Sequence, residues 1–286
     1  MPASSKIHLP EKIYTPDAMR KAGIRIWGTM TRELWSAREL IWRLVYRDIS
    51  ARYRQSVLGY IWAILPPLVT VAIFTFLTSN RVLPIGEMPL PYPVFALWSI
   101  GVWQLFSQSL AACTNSLTNA SSLVTKINFP KETLVISAVG QPLIDFLIRL
   151  LPTILVFFWY EIIPPLAALW IPILLIPVIL MAIGLGFFFA IANLAIRDIG
   201  NAVGMALTFG MFAAPVLYPP PVTAPFFLVN IINPFSPLLI ATQDLLAYGE
   251  LLHADLLLGA AIFACATFLI GWRIFYLTIP RIAERA

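Results

Sequence analysis

Residues 47–60 read RDISARYRQSVLGY, and the chain changes solvent inside them. On the N-terminal side stand Arg47, Arg52 and Arg54 in a polar, basic context. From Ser56 onward the sequence becomes VLGYIWAILPPLVTVAIFTFL and stays apolar almost to the end. A helix needs about 20 apolar residues to cross the hydrocarbon core of a bilayer. The stretch therefore marks a passage from water into lipid, and an all-α integral membrane protein is expected.

Composition points the same way. The chain is 59% hydrophobic and only 12% charged, against about 25% charged residues in a soluble domain. Mean hydropathy is +0.84. The N-terminal sequence has no apolar core and does not read as a cleavable signal peptide. Cys113 and Cys265 are isolated in apolar surroundings, which fits neither a disulfide framework nor a metal site. His8 and His253 are too far apart to make a zinc site. There is no GxxxxGK[ST] loop, so this chain does not bind ATP by that route. No GxSxG occurs and the acidic residues are scattered, so no catalytic residue, metal or cofactor is assigned to it.

In chain order, residues 1–31 read as a polar tail. Residues 32–55 read as an amphipathic helix lying in the membrane interface. Leu34, Trp35, Ile41, Trp42, Val45, Tyr46 and Ile49 recur there at three- and four-residue steps between arginines. An ordinary packed surface helix is the alternative. Six apolar spans follow, at about 57–79, 94–113, 134–160, 166–195, 202–218 and 256–276, with 277–286 as the C-terminal end. The first contains Pro66-Pro67, which should kink it. The second carries Gln104, Ser107, Gln108 and Ser109. Those side chains are costly against lipid and should meet protein or a pore.

Six crossings place seventeen of the nineteen Lys and Arg residues on one side. The positive-inside rule then puts both termini in the cytoplasm. It also explains the net charge of +5 without nucleic acid. The 219–255 connection is too apolar for a solvated loop and is broken by six prolines. It reads as short broken helices dipping into the outer leaflet, where irregular backbone must be covered by protein or line a cavity. One more full span over 226–246 is the alternative.

Asp145 and Arg149 sit four residues apart in the third span, so they share a helix face and can pair. Such a pair is a switch, a polar lining, or a structural lock between helices. On the fifth span Asn201, Met205, Phe209, Phe212 and Val216 share a face. Tyr60, Trp62 and Tyr218 add aromatic surface. These aromatics are core and belt residues or stacking surfaces for sugar rings.

The stretch RDISARYRQSVLGYIWAILPPL resembles the permease subunits of type-2 ABC exporters, in the bacterial polysaccharide, O-antigen and teichoic acid branch. ASSLVTKINFPKE between spans two and three, NLAIRDIGNAVGMALTFGMFAAPVLYP, and NPFSPLLIATQDLLAYG fit the same family in order and spacing. The resemblance implies a homodimer working with two copies of a separate ATPase that carries ATP and Mg. The cargo it implies is a lipid-linked polysaccharide crossing the bacterial cytoplasmic membrane. It places ATPase coupling on Glu33, Arg38, Arg43, Asp48, Arg52 and Arg54 and, through a 120–131 coupling segment, on Lys126, Asn128 and Lys131. It places the channel on Tyr60, Trp62, Phe209, Phe212 and Tyr218. The competing expectations are an ABC exporter of drugs or lipids, a secondary transporter or channel without ATPase, and a membrane-bound glycan-modifying enzyme.

Overall fold

The computed structural model describes residues 25–53, 61–82, 86, 88–120, 129–220, 228, 230 and 232–283. All regular structure among them is helical. In chain order the helices are α1 (Arg25–Ser36), α2 (Arg38–Tyr53), α3 (Ile61–Ser79), α4 (Tyr92–Asn119), α5 (Glu132–Ser137), α6 (Gly140–Trp159), α7 (Ile171–Ala195), α8 (Asp198–Gly210), α9 (Phe235–Ala247) and α10 (Ala254–Ala283). A 3-10 turn, Leu166–Trp170, leads into α7, and another, Met211–Ala213, follows α8.

Among the described residues, five segments are long and apolar enough to cross a membrane: Ile61–Ser79, Tyr92–Asn119, Glu132–Trp159, Leu166–Ala195 and Ala254–Ile279. They match five of the six expected spans. The remaining expected span, the fifth at 202–218, is different. It stays helical only to Gly210 and is extended at Ala214, where φ is −116° and ψ is 150°. Pro215 is the reason, since its ring pushes the preceding residue out of the helical region.

Helix α4 is the centre of the bundle. Its apolar window is 78% buried, whereas no other span exceeds 33%. Its hydropathy is also the lowest of the five. The two facts have one cause: a helix ringed by protein can carry polar side chains that lipid would penalise, with Ser99 and Ser109 fully buried and Gln104 and Gln108 partly so. Around its Tyr92 half, Phe95, Trp98, Trp103 and Phe106 form a core with Phe146, Phe157 and Phe235. Around its Asn119 end, a second core joins Cys113 and Leu117 to Phe187, Trp272 and Phe275.

The expected 32–55 helix starts earlier, at Arg25, and is divided at Ala37. Ile26 and Met30 are its first buried residues, and they belong to the second core with Trp272 and Ile279 of α10. After the break, α2 turns its Leu44 into the same core and lays Val45 against Gly140 at the start of α6. The division lets one amphipathic segment bury against two different partners.

Three contacts fix the course of 198–217 relative to α4. Gly200 abuts Asn115, Gly210 abuts Trp103, and the Tyr92 hydroxyl donates to the Leu217 carbonyl at 3.3 Å. The chain thus runs along α4 from near one end to the other. The segment after it comes back toward the middle: Phe235 packs edge-on to Trp103 with centroids 5.0 Å apart and lies 4.9 Å from the Phe106 ring. From there α9 climbs past Trp98, whose indole N–H donates to Thr242 at 3.0 Å. It ends beside Pro165, against Gly249, which has φ +75°.

Candidate functional site

Among the described residues, α8 and α3 both present exposed apolar surface, as do α6, α7 and α10. Only Val203 of α8 is buried. Met205, Phe209 and Phe212 are 65%, 66% and 58% exposed, and they follow one another on one face together with exposed Asn201. Val216, expected on that face, is fully buried instead, because the helix has ended before it. Tyr218 is half-buried, and its hydroxyl donates to the Phe212 carbonyl at 3.0 Å, closing the turn below the aromatic face. On α3, Trp62 is exposed, as are Ile61, Leu65, Val69, Ile73 and Phe76. Only Ala63, Pro67 and Val71 of α3 are buried. Tyr60 lies outside the described residues.

The foot of α8 is set by a buried amide. Asn193, near the end of α7, accepts from the Gly200 N–H at 2.8 Å. Its Nδ2 donates to the Thr114 carbonyl at 3.2 Å and the Asn115 Oδ1 at 3.1 Å. The first N–H groups of a helix have no helical acceptor, and Arg197 at the N-cap gives none through its side chain. Asn193 therefore caps α8 from a neighbouring helix while anchoring it to α4. At the other end, Gln243 of α9 donates to both the Ser99 hydroxyl and the Pro215 carbonyl, each at 2.9 Å. Neither residue was singled out from the sequence. The available signal was an amide inside an apolar run.

The coupling candidates gather near the Asn119 end of α4. Glu33 on α1 accepts from the Tyr276 hydroxyl of α10 at 3.0 Å. Arg38 lies over the Trp35 ring at 5.2 Å. Arg43 pairs with Glu39 at 2.7 Å, and Asp48 with Arg47 at 2.7 Å. The Arg43 guanidinium holds the exposed Glu39 carboxyl below its usual range. Lys131 sits 4.1 Å above the Phe129 ring, and burial lowers its ammonium pKa. Trp35, Trp42 and Tyr46 are about 70% exposed, so the elbow shows bulky aromatics and arginines together. Arg54, Lys126 and Asn128 lie outside the described residues; for Arg52 only the helical backbone is described.

Between these two regions, Asp145 and Arg149 are both buried, at 0% and 6% exposure. Arg149 reaches beyond its own helix. Its Nε donates to the Ala63 carbonyl of α3 at 3.0 Å, and its Nη2 to Gln108 of α4 at 3.1 Å. It thus links three spans.

Residues 39–246 match the ABC-2 type transporter family. The chain belongs to that family. It is a multi-pass membrane transport subunit rather than an enzyme, and in ABC-2 transporters the ATPase activity resides in a separate subunit. Its similarity to known members falls in the O-antigen branch. It is 30% identical over 194 residues to the O-antigen export system permease protein RfbA of Myxococcus xanthus, covering 66% of this chain and 72% of that protein. It is 27% identical over 217 residues to the O-antigen export system permease protein RfbA of Klebsiella pneumoniae, covering 74% of this chain and 82% of that protein. The match spans α2 to α9, so the aromatic face of α8 and the α3 helix both lie inside the family region of this ABC-2 permease.

Proposed function

We propose that this ABC-2 permease exports a lipid-linked polysaccharide of the O-antigen, capsule or teichoic acid kind across the bacterial cytoplasmic membrane. Two copies form the channel, and two ATPase subunits carrying ATP and Mg drive it. The observation that carries this reading is the uncovered Met205–Phe209–Phe212 face of α8. Among the described residues no element covers this apolar face, which suits it to a second copy or to cargo. Aromatic rings offer flat surfaces to the C–H faces of sugars and demand no fixed register, which suits a sliding polymer.

Six crossings with both termini cytoplasmic fit the contacts along α4. The 198–217 segment meets α4 near Asn115, at Trp103 and at Tyr92. In this reading it completes the fifth crossing as a short helix, a 3-10 turn and an extended piece. The path from Tyr92 down to Phe106 and back up to Pro165 supports a re-entrant 219–255 region on the outer side. On the cytoplasmic side, the elbow of α1 and α2 and the 120–131 segment receive the ATPase motion, and α3 and α8 part across the dimer axis.

The test is the double variant Phe209→Ala with Phe212→Ala, expressed with the ATPase in a strain lacking the native permease. Export should drop sharply while the ATPase still co-purifies at the native ratio. Normal surface polymer in that strain would sink the stacking role.

A further inference from the structure

The hydrogen bond from Arg149 to Ala63 has a structural reason in α3 itself. In an α-helix each N–H donates to the carbonyl four residues back. Pro66 and Pro67 have no N–H, so the carbonyls of Trp62 and Ala63 lose their helical donors. The Ala63 carbonyl is the one that Arg149 Nε meets, at 3.0 Å. The same guanidinium donates from Nη2 to Gln108 on α4 at 3.1 Å. A guanidinium can do both because its donors point along fixed, divergent directions; an ammonium on a flexible stem cannot reproduce that fork.

We infer that Arg149 is the positioning residue of a proline hinge in α3: it replaces the backbone donor that Pro67 removes and fastens the hinge to α4. The inference rests on the reading of α3 as a wall of the export pathway. Three features support it. Helix α3 is held by one narrow stripe, Ala63, Pro67 and Val71, and the clamp sits on the first of these. The remaining faces are largely exposed, so little else fixes where the helix bends. The helix backbone that carries Arg149 is held as well, since the Thr153 hydroxyl donates back to the Arg149 main-chain carbonyl at 3.0 Å beside Pro152. The clamp fixes the Ala63 end of α3 to the centre of the bundle and leaves bending to the residues after Pro67.

This assigns Pro67 and Arg149 as one unit, and a unit can be tested by its non-additivity. The variants are Arg149→Lys, Pro67→Ala and the two together, each in the full permease–ATPase complex. The first reading is the thermal midpoint of the solubilised complex; the second is polymer exported per ATP hydrolysed. Arg149→Lys should lower export about tenfold, the scale of one buried hydrogen bond to a charged group. Pro67→Ala restores a backbone N–H for the Ala63 carbonyl, so the double variant should recover most of the export and of the thermal midpoint lost in Arg149→Lys. Equal losses with and without Pro67 would overturn the hinge. If Arg149→Lys alone fails to accumulate, accumulation of the double variant supports the unit and its absence overturns it. The thermal arm reports on the clamp whatever the cargo is, so its failure is distinct from a failure of the export reading.

Discussion

Gly271 on α10 packs so close to Gly184 on α7 that a Cβ on Gly271 would stand 2.5 Å from the Gly184 carbonyl oxygen. The reverse holds too: a Cβ on Gly184 would come within 2.6 Å of the Phe268 backbone nitrogen. Both obstacles are backbone, which cannot step aside as a side chain can. Small residues let membrane helices approach this closely and gain their packing from dispersion. Gly271→Leu should therefore force the helices apart and cost about 2–3 kcal/mol, at the upper end of overpacking penalties. A lowered thermal midpoint in detergent, accompanied by loss of Trp272 burial as read by fluorescence, is the expected result. An unchanged midpoint would show that the two helices separate at no cost.

Asn193 has an orientation that its partners decide. The Gly200 N–H can only donate and the Thr114 carbonyl can only accept, so Oδ1 faces the first and Nδ2 the second. Asn193→Ala should cost about 2 kcal/mol, because it leaves buried partners unsatisfied. Asn193→Asp keeps the acceptor for Gly200 but places a carboxylate beside the Asn115 Oδ1 and the Thr114 carbonyl. It should be no better than alanine. Native stability and export in Asn193→Asp would mean that only the cap on α8 matters and that the tie to α4 is dispensable.

How much of this was legible in the sequence varies with the physics involved. Five spans were legible because lipid imposes both a length and an apolar composition, and each leaves a run that counting finds. The shortened helix at 198–210 was legible in principle, since Pro215 forces Ala214 to be extended; the aromatic periodicity masked that signal and carried the helix on to Val216. The early start of α1 was equally visible, in Ile26, Met30 and Leu34 at four-residue steps. The break at Ala37 was not. Ser36, Ala37 and Arg38 are all compatible with helix, and the break exists because α1 packs on α10 while α2 packs on α5 and α6. Tertiary partners write no signal into the local sequence.

The candidate site divides in the same way. That Phe209 and Phe212 share a face followed from a period of 3.6; their exposure is visible only in the fold. The spans that Arg149 reaches did not, because a spacing of four identifies only the partner on its own helix. Pro67 was read as a kink and Arg149 as half of an ion pair, and nothing in one dimension joins the two. Only the fold shows that they meet at the Ala63 carbonyl.

Two helix ends carry a removable strain. Arg81 after α3 and Glu161 after α6 have φ of 57° and 54°. In each case the following N–H reaches back five residues, from Val82 to Leu77 and from Ile162 to Phe157. This is the closing bond of a Schellman motif, whose left-handed position favours glycine. Both side chains are exposed, so little packing is lost on replacing them. Glu161→Gly should gain about 0.5–1 kcal/mol net, the left-handed strain relieved exceeding the entropy cost of glycine. The midpoint of the solubilised protein should rise by about 1–4 °C. A fall would mean that the Glu161 carboxylate has a role in the membrane that outweighs the strain.

The contact of Val45 with Gly140 joins the α2 elbow directly to the third span. A Cβ at Gly140 would stand 2.5 Å from Val45 Cγ1 and 2.7 Å from Cγ2. Valine is stiff at χ1 and cannot swing both methyls away. Gly140→Ala should therefore push α2 off α6 at a cost of about 1–3 kcal/mol. If α2 transmits the ATPase motion, a cost of that size is about 5–150-fold on a coupling equilibrium. ATP hydrolysed per polymer exported should rise, with the complex still assembled. Val45→Ala removes the two opposing methyls, so the pair Gly140→Ala with Val45→Ala should bring the ratio back toward the native value. Should hydrolysis and export instead fall in proportion in Gly140→Ala, the contact holds the fold together and carries no motion, and the coupling route must run through the 120–131 segment alone.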